Sequence, residues 1–341
     1  MKEKIMEKIQ NIDYSSILKF FKPIVFVYSK SINEKTLKLI KNGQIDSIYI
    51  PQTPIQEQKY FSIDFNDILA KEFGLCILDF ANFIIDNFDE KNLINFYNNI
   101  NNLQVIKLNE KEQHKFLDIG VGASYNTYRN TIKIGEHDYS SIYHELFHMA
   151  SAFFKDGTYY SGFRQPNLGV GINEGYTQLL TERYFGKEIG TRRSYQYEVS
   201  IAKQLEKIVE KEKMESLYLN SNLRGLILEL SNYSSEESII EFILDVDLLL
   251  TANKGSKIKK SIIEEKLKSV NEFLCNAYFS KLKQKLDNKE LDIIEVNSLI
   301  ILFINSFKKE VKINDYTYIS NIEKRFDECS LLGGVIKWLT K

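Results

Sequence analysis

Ile142-Tyr143-His144-Glu145-Leu146-Phe147-His148-Met149-Ala150, followed after a short gap by Asn173-Glu174-Gly175-Tyr176, is the part of this 341-residue chain on which the rest of the reading turns. Only four histidines occur in the whole sequence, and two of them stand four residues apart with a glutamate directly after the first. On a helix, positions four apart differ by about 40°, so His144 and His148 project from one face and can reach a single ion. Glu145 lies about 100° round from His144 and borders that face. Ile142, Tyr143, Leu146, Phe147, Met149 and Ala150 cover most of the remaining circumference, which gives the helix a surface to bury.

Two histidines are one ligand short of a catalytic zinc site, which takes three protein ligands and leaves a fourth position for water. Glu174 is the natural third. It is expected to open a helix running from Asn173 to Phe185, after a Gly/Pro/Asn-containing loop (161–171) long enough to reverse the chain. Gly175 beside it permits close packing. Glu145, next to the ligand face rather than on it, stands where a base for the bound water belongs.

Working outward, Val121–Tyr125 and Asn130–Ile134 read as the two strands of a hairpin. Asp138 or Ser140 can then cap the helix that carries the histidines, which is expected to run to about Phe154 and stop at Lys155-Asp-Gly157. The first third of the chain mixes β-type runs (24–28, 47–50, 104–108) with helical stretches (34–41, 64–88). Beyond about Arg192 apolar spacing near 3.6 dominates, in 199–213, 235–250, 257–285 and 296–308, with turns at 220–222 and 253–256. The expected division is 1–115, an N-terminal α/β region; 116–190, the core with the candidate site; and 191–341, a helical region forming the other side of a cleft.

HELFH with a downstream NEGY resembles the gluzincin metallopeptidases, the group containing thermolysin and the zinc aminopeptidases. The resemblance covers residues 116–186. It implies an α+β fold with a zincin-like metallopeptidase core, a small mixed sheet and a mostly helical C-terminal half. It implies one Zn2+ per chain held by His144, His148 and Glu174, with Glu145 as general base in peptide-bond hydrolysis. It also implies that an edge strand, at 122–126 or 131–134, pairs with extended substrate. The chain departs from the thermolysin pattern at Gln178, which stands where an Asp orients a ligand histidine, so a negative partner for that ring has to come from elsewhere. No histidine follows His148, and the oxyanion donor falls to a tyrosine; Tyr195 and Tyr197 are the candidates. No element for holding a free N-terminus is recognisable, which favours an endopeptidase.

Composition narrows the other possibilities. Lys plus Arg (45) and Asp plus Glu (46) nearly cancel, so no overall field favours nucleic acid or an anionic membrane. The aromatic share of 13% belongs to a chain that folds. Cys76, Cys275 and Cys329 are widely spaced and fit a reducing compartment, and the apolar surroundings of Cys76 and Cys275 read as burial. The start lacks an apolar signal core and no apolar run is long enough to span a bilayer, so a cytoplasmic protein acting on peptide or protein substrates is expected, with no membrane or nucleic-acid partner. His114 and His137 have no partners at ligand spacing, Gly169 and Gly171 read as loop flexibility, and the charge runs 210–213 and 257–260 as solvated helix faces. A metal fold retained without catalysis, for binding a partner protein, and hydrolysis of a non-peptide amide are the competing functions.

Overall fold

The structure, a computed structural model, describes residues 76, 80, 83–84, 86–101, 103–108, 111–112, 114, 122–135, 139–155, 157–186, 195–254, 257–306, 310–313 and 316–319. The strands expected at 24–28 and 47–50, the helix at 34–41, and His137 and Cys329 lie outside them. The fold is α+β, mostly helical with small sheets. It divides into two compact units, the first Met1–Gly162, Leu180–Arg193 and Leu219–Ser221, the second Phe163–Leu179, Ser194–Tyr218 and Asn222–Lys341.

In the first unit, helix α1 (Glu90–Asn101) leads into strand β1 (Gln104–Lys107), and strands β2 (Ala123–Asn126) and β3 (Thr131–Ile134) form the expected hairpin. The order is β1-β3-β2, with β1 parallel and β2 antiparallel to β3. The turn between β2 and β3 is set by side chains. Asn126 accepts from the Arg129 amide at 2.9 Å, and Asn130 takes the left-handed conformation (φ 47°) that asparagine tolerates better than most residues. Because β3 has a neighbour on each side, the edges of this sheet among the strands described are β1 and β2. Of the two stretches expected to offer an edge to substrate, 131–134 is therefore interior.

Helix α2 (Tyr139–Ser151) carries the histidines and packs against α1 and β2. Tyr143 and Phe147, four apart, enter an aromatic cluster: Tyr143 stacks on Phe185 at 4.1 Å, and Phe147 meets Phe80 edge-on at 4.9 Å. The helix ends earlier than the apolar periodicity suggests. Phe153–Lys155 (β4) is a strand, paired antiparallel with Thr158–Tyr160 (β5) across a connection in which Gly157 has φ 77°. Aromatic residues on either side of a Gly-containing two-residue connection favour a hairpin over another helical turn.

Helix α3 (Val170–Tyr184) contributes its first part to the second unit and its last part to the first. The second unit continues with α4 (Gln196–Val209), α5 (Lys211–Leu219), α6 (Leu223–Leu230), α7 (Glu236–Asn253), α8 (Lys260–Asp287) and α9 (Ile293–Asn305). The continuous helix expected over 199–213 is broken at Glu210, whose φ of 78° ends α4. Side-chain caps start three of the others: Asn222 accepts from the Gly225 amide, Ser235 from the Ser238 amide, and Asp292 with Glu295 forms a capping box. Aromatic pairs fill the core, with Phe242 stacked on Phe273 at 4.2 Å and Tyr278 on Phe303 at 4.0 Å. A last hairpin, β6 (Glu310–Ile313) with β7 (Tyr316–Ile319), joins the helices of this mostly helical half. Cys76 and Cys275 are both buried free thiols, as expected. No helix among the described residues is long and apolar enough to cross a membrane.

Candidate metal centre

His144 and His148 are both buried, and their Nε2 atoms stand 3.0 Å apart. That separation suits an N–H···N hydrogen bond between opposite tautomers. It also lies close to the roughly 3.3 Å expected of two nitrogens each about 2.0–2.1 Å from one tetrahedral zinc. Among the described residues, one group of three metal-ligating side chains occurs: His144, His148 and Glu174, with one ligand atom of each within 4.8 Å of the others. Two imidazoles and a carboxylate form a donor set that suits zinc, so the residues present fit a divalent ion of that kind. Glu145, the next residue on α2, is likewise buried.

The last turn of α2 is held by donors from three directions. A helix end leaves its final carbonyls without intrahelical partners, and here each finds one. Asn95 and Asn99, four apart on α1, reach across with their side-chain amides. Asn95 donates to the carbonyls of Ala150 (2.7 Å) and Ala152 (3.1 Å), and Asn99 to those of Met149 (2.8 Å) and Ala152 (2.7 Å). Ser151 and Ser161 hydroxyls both donate to the carbonyl of His148 itself, at 3.1 and 2.9 Å, and Ser221 donates to that of Ser151 at 2.6 Å. Asn99 also accepts, through its backbone carbonyl, from Asn130 at 2.7 Å, which ties the β2–β3 turn to the same clamp. None of these five side chains stands out in the sequence, although the Asn-x-x-x-Asn spacing on an amphipathic helix is a signal for a clamp of this kind.

Glu174 is anchored differently. Helix α3 starts three residues earlier than expected, at Val170, so Glu174 sits past the first turn rather than opening the helix. The reason is a cap supplied from far along the chain: Asp247, on α7, accepts from the amides of Gly169 (2.8 Å) and Gly171 (2.7 Å). Burial raises the Asp247 pKa, and the amide hydrogen bonds of Gly171, Gly169 and Val170 oppose the rise, as does the charge of Arg164. Gly169 and Gly171 are therefore not flexible loop residues. A Cβ on Gly169, at φ 84°, would fall 2.2 Å from the Phe163 carbonyl oxygen, and one on Gly171 would fall 2.8 Å from Val246. Asn173 accepts from the Phe163 amide at 2.9 Å, and the Thr177 hydroxyl donates to the Asn173 carbonyl at 2.7 Å, leaving Tyr218 to donate to Thr177 at 2.6 Å. Gly175 does permit close packing, and what approaches is the backbone of Glu198: a Cβ there would lie 2.4 Å from its carbonyl carbon and oxygen.

The two tyrosines considered as oxyanion donors occupy different environments. Tyr195 caps α4 in the left-handed conformation (φ 53°), with the Lys254 ammonium 5.4 Å from its ring. Tyr197 is buried, its hydroxyl has no hydrogen-bond partner among the described residues, and burial first, then the Glu198 and Asp245 carboxylates, push its pKa far up. The hydroxyl therefore keeps its proton and remains able to donate a hydrogen bond. Gln178 is buried, and His114 is exposed on a helical segment. Comparison with family models, with curated proteins and with solved structures finds no match to this chain.

Proposed function

We propose that the chain is a zinc-dependent peptidase of gluzincin type, with a zincin-like core, that cleaves within extended polypeptides. The observation that carries this reading is the convergence of His144, His148 and Glu174, with a carboxylate at the position next to the first ligand. A divalent ion held there supplies a lowered water pKa and a polarised carbonyl. The chain's own residues do the rest. Glu145 takes a proton on a carboxylate oxygen from the attacking water as the new C–O bond forms. It then delivers that proton to the departing nitrogen as the C–N bond breaks, which returns it to the ionised form. The clamp on the carbonyls of α2 keeps the two imidazoles on one face through the cycle, and the Asp247 cap does the same for the helix bearing Glu174. Tyr195 and Tyr197 are the hydroxyls proposed to steady the negative oxygen that develops in the transition state. The open edge of β2 suits an extended chain, whose backbone groups it would pair with, and a cytoplasmic setting accords with free cysteines.

The experiment is a peptide-library digestion with zinc-loaded protein, comparing wild type and Glu145→Gln, with zinc stoichiometry measured on both. One zinc per chain is expected in both proteins, with cleavage slowed by about 10²- to 10⁴-fold in the variant. Zinc at trace level and unchanged by His144→Ala would remove the metal reading. Cleavage that persists undiminished in Glu145→Gln would remove the mechanism. Bound zinc without cleavage of any peptide would turn the reading into a metal-fold protein that binds a partner.

A further inference from the structure

At the turn that ends β2 the surface carries aromatic rings that the metal centre does not use. Tyr128, in the turn that ends β2, is 74% exposed, and Phe154, on β4, is 59% exposed. Between them lies Tyr159 on β5, whose ring centroid is 5.0 Å from that of Tyr128 and 4.6 Å from that of Phe154. Tyr125, on β2 itself, joins the group: its hydroxyl donates to Asn130 at 2.8 Å, and its pKa is raised by burial first and then by Tyr159. Scattered exposed apolar residues are ordinary on a soluble protein, whereas contiguous rings mark a surface that meets something.

From the register, Tyr125 pairs with Ile132 and Ala123 with Ile134, so these four side chains share one face of the sheet, the face buried in the core. Helix α2, with the histidines, packs against β2. Strand β2 thus connects three features of the first unit: the helix of the two metal ligands packed against it, an edge with no paired strand among the described residues, and exposed rings at the turn that ends it.

We propose that Tyr128, Phe154 and Tyr159 form a specificity surface for a polypeptide that adds to the edge of β2, selecting a large aromatic side chain a short distance along the strand from the bond to be cleaved. This rests on the peptidase reading and extends it to substrate chemistry. A strand edge presents amide and carbonyl groups in the alternation that only another extended backbone satisfies. Exposed aromatic rings gain most from an edge-to-face or offset partner ring. A second copy of this chain is the weaker occupant. The strand has four residues and spans about 13 Å, too little edge for the roughly 800 Å² per partner that a stable dimer buries.

The test separates this surface from the chemistry. An array of blocked dodecapeptides, each with one position varied between Ala, Phe, Tyr and Trp, is probed with zinc-loaded Glu145→Gln protein, which binds without turning over. The same array is probed with Glu145→Gln carrying Tyr128→Ser and Phe154→Ser. Aromatic peptides are expected to be retained about tenfold better than their alanine counterparts, with that ratio falling to about one in the triple variant. Equal retention of aromatic and alanine peptides, no retention of any peptide, or a ratio unchanged by the serines would each overturn the proposal. If the paired serines destabilise the fold, Tyr128→Ser alone, at the more exposed position, gives the same comparison. Sedimentation across a concentration series guards the assignment: a dimer that dissociates on Tyr128→Ser would give the surface to a second copy and overturn the peptide. Failure of the peptidase reading looks different, as absent zinc or absent cleavage by wild type while aromatic selection persists.

Discussion

At the scale of single residues, the candidate site depends on small side chains as much as on the ligands. His144, Glu145, His148 and Glu174 could be read from the sequence because their chemistry fixes their spacing, four apart on a helix with the base between. What holds Glu174 could not be read in the same way. Gly175 looked permissive, but its partner, the backbone of Glu198, lies 23 positions on and carries no motif. Gly175→Ala would place a methyl group 2.4 Å from two backbone atoms of Glu198, a contact that no rotamer can relieve. The backbone of α3 or α4 has to shift, at about 1–3 kcal/mol. Because the shift occurs at the residue after Glu174, zinc affinity is expected to fall about tenfold or more along with the melting temperature. Competition with a chromophoric chelator measures the first and calorimetry the second. A variant that melts earlier yet binds zinc as wild type does would show that this packing supports the fold without setting the ligand.

At the scale of elements, periodicity found most of the helices and the β2–β3 hairpin, and failed where long-range partners decide an end. Helix α2 stops at Ser151 because Asn95, Asn99, Ser161 and Ser221 occupy its last carbonyls and because Phe153 and Tyr160 pair across a hairpin, stacked at 5.1 Å. Helix α3 starts at Val170 because Asp247 meets its first amides. Neither cause lies in the local window from which a helix boundary is judged. The clamp makes a prediction whose sign is distinctive. Asn99→Ala removes two donors and is expected to cost about 1–3 kcal/mol, since the carbonyls of Met149 and Ala152 lose partners in a partly buried setting. Asn99→Asp keeps the size but turns a donor into an acceptor and puts negative charge at a helix C-terminus, where the dipole already concentrates it. It should therefore destabilise more than alanine does, although aspartate is the closer match in shape. Urea denaturation of the three proteins, with equal m-values, checks the order; Asp no worse than Ala would mean that water, rather than the amide, satisfies those carbonyls.

At the scale of the whole molecule, the near balance of charge leaves folding to apolar and aromatic packing, and any bound ion becomes a separate, additive source of stability. A ligand that binds only the folded chain stabilises it by about 2.7 kcal/mol at a hundredfold excess over its dissociation constant. Each kcal/mol raises the melting temperature of a domain of 150–250 residues by about 2–4 °C, and somewhat less in a longer chain. Zinc added to chelator-stripped protein is thus expected to raise the melting temperature by about 5 °C, and chelation to reverse the rise. The variants divide the outcome by role. His144→Ala and Glu174→Ala should abolish the increment, because each removes a ligand. Glu145→Gln should keep it, because the proton carrier is adjacent to the donor set without belonging to it. Thermal scans of the four proteins with and without zinc read this directly, with no substrate needed. An increment lost in Glu145→Gln as well would place that carboxylate among the ligands and leave the base to another residue.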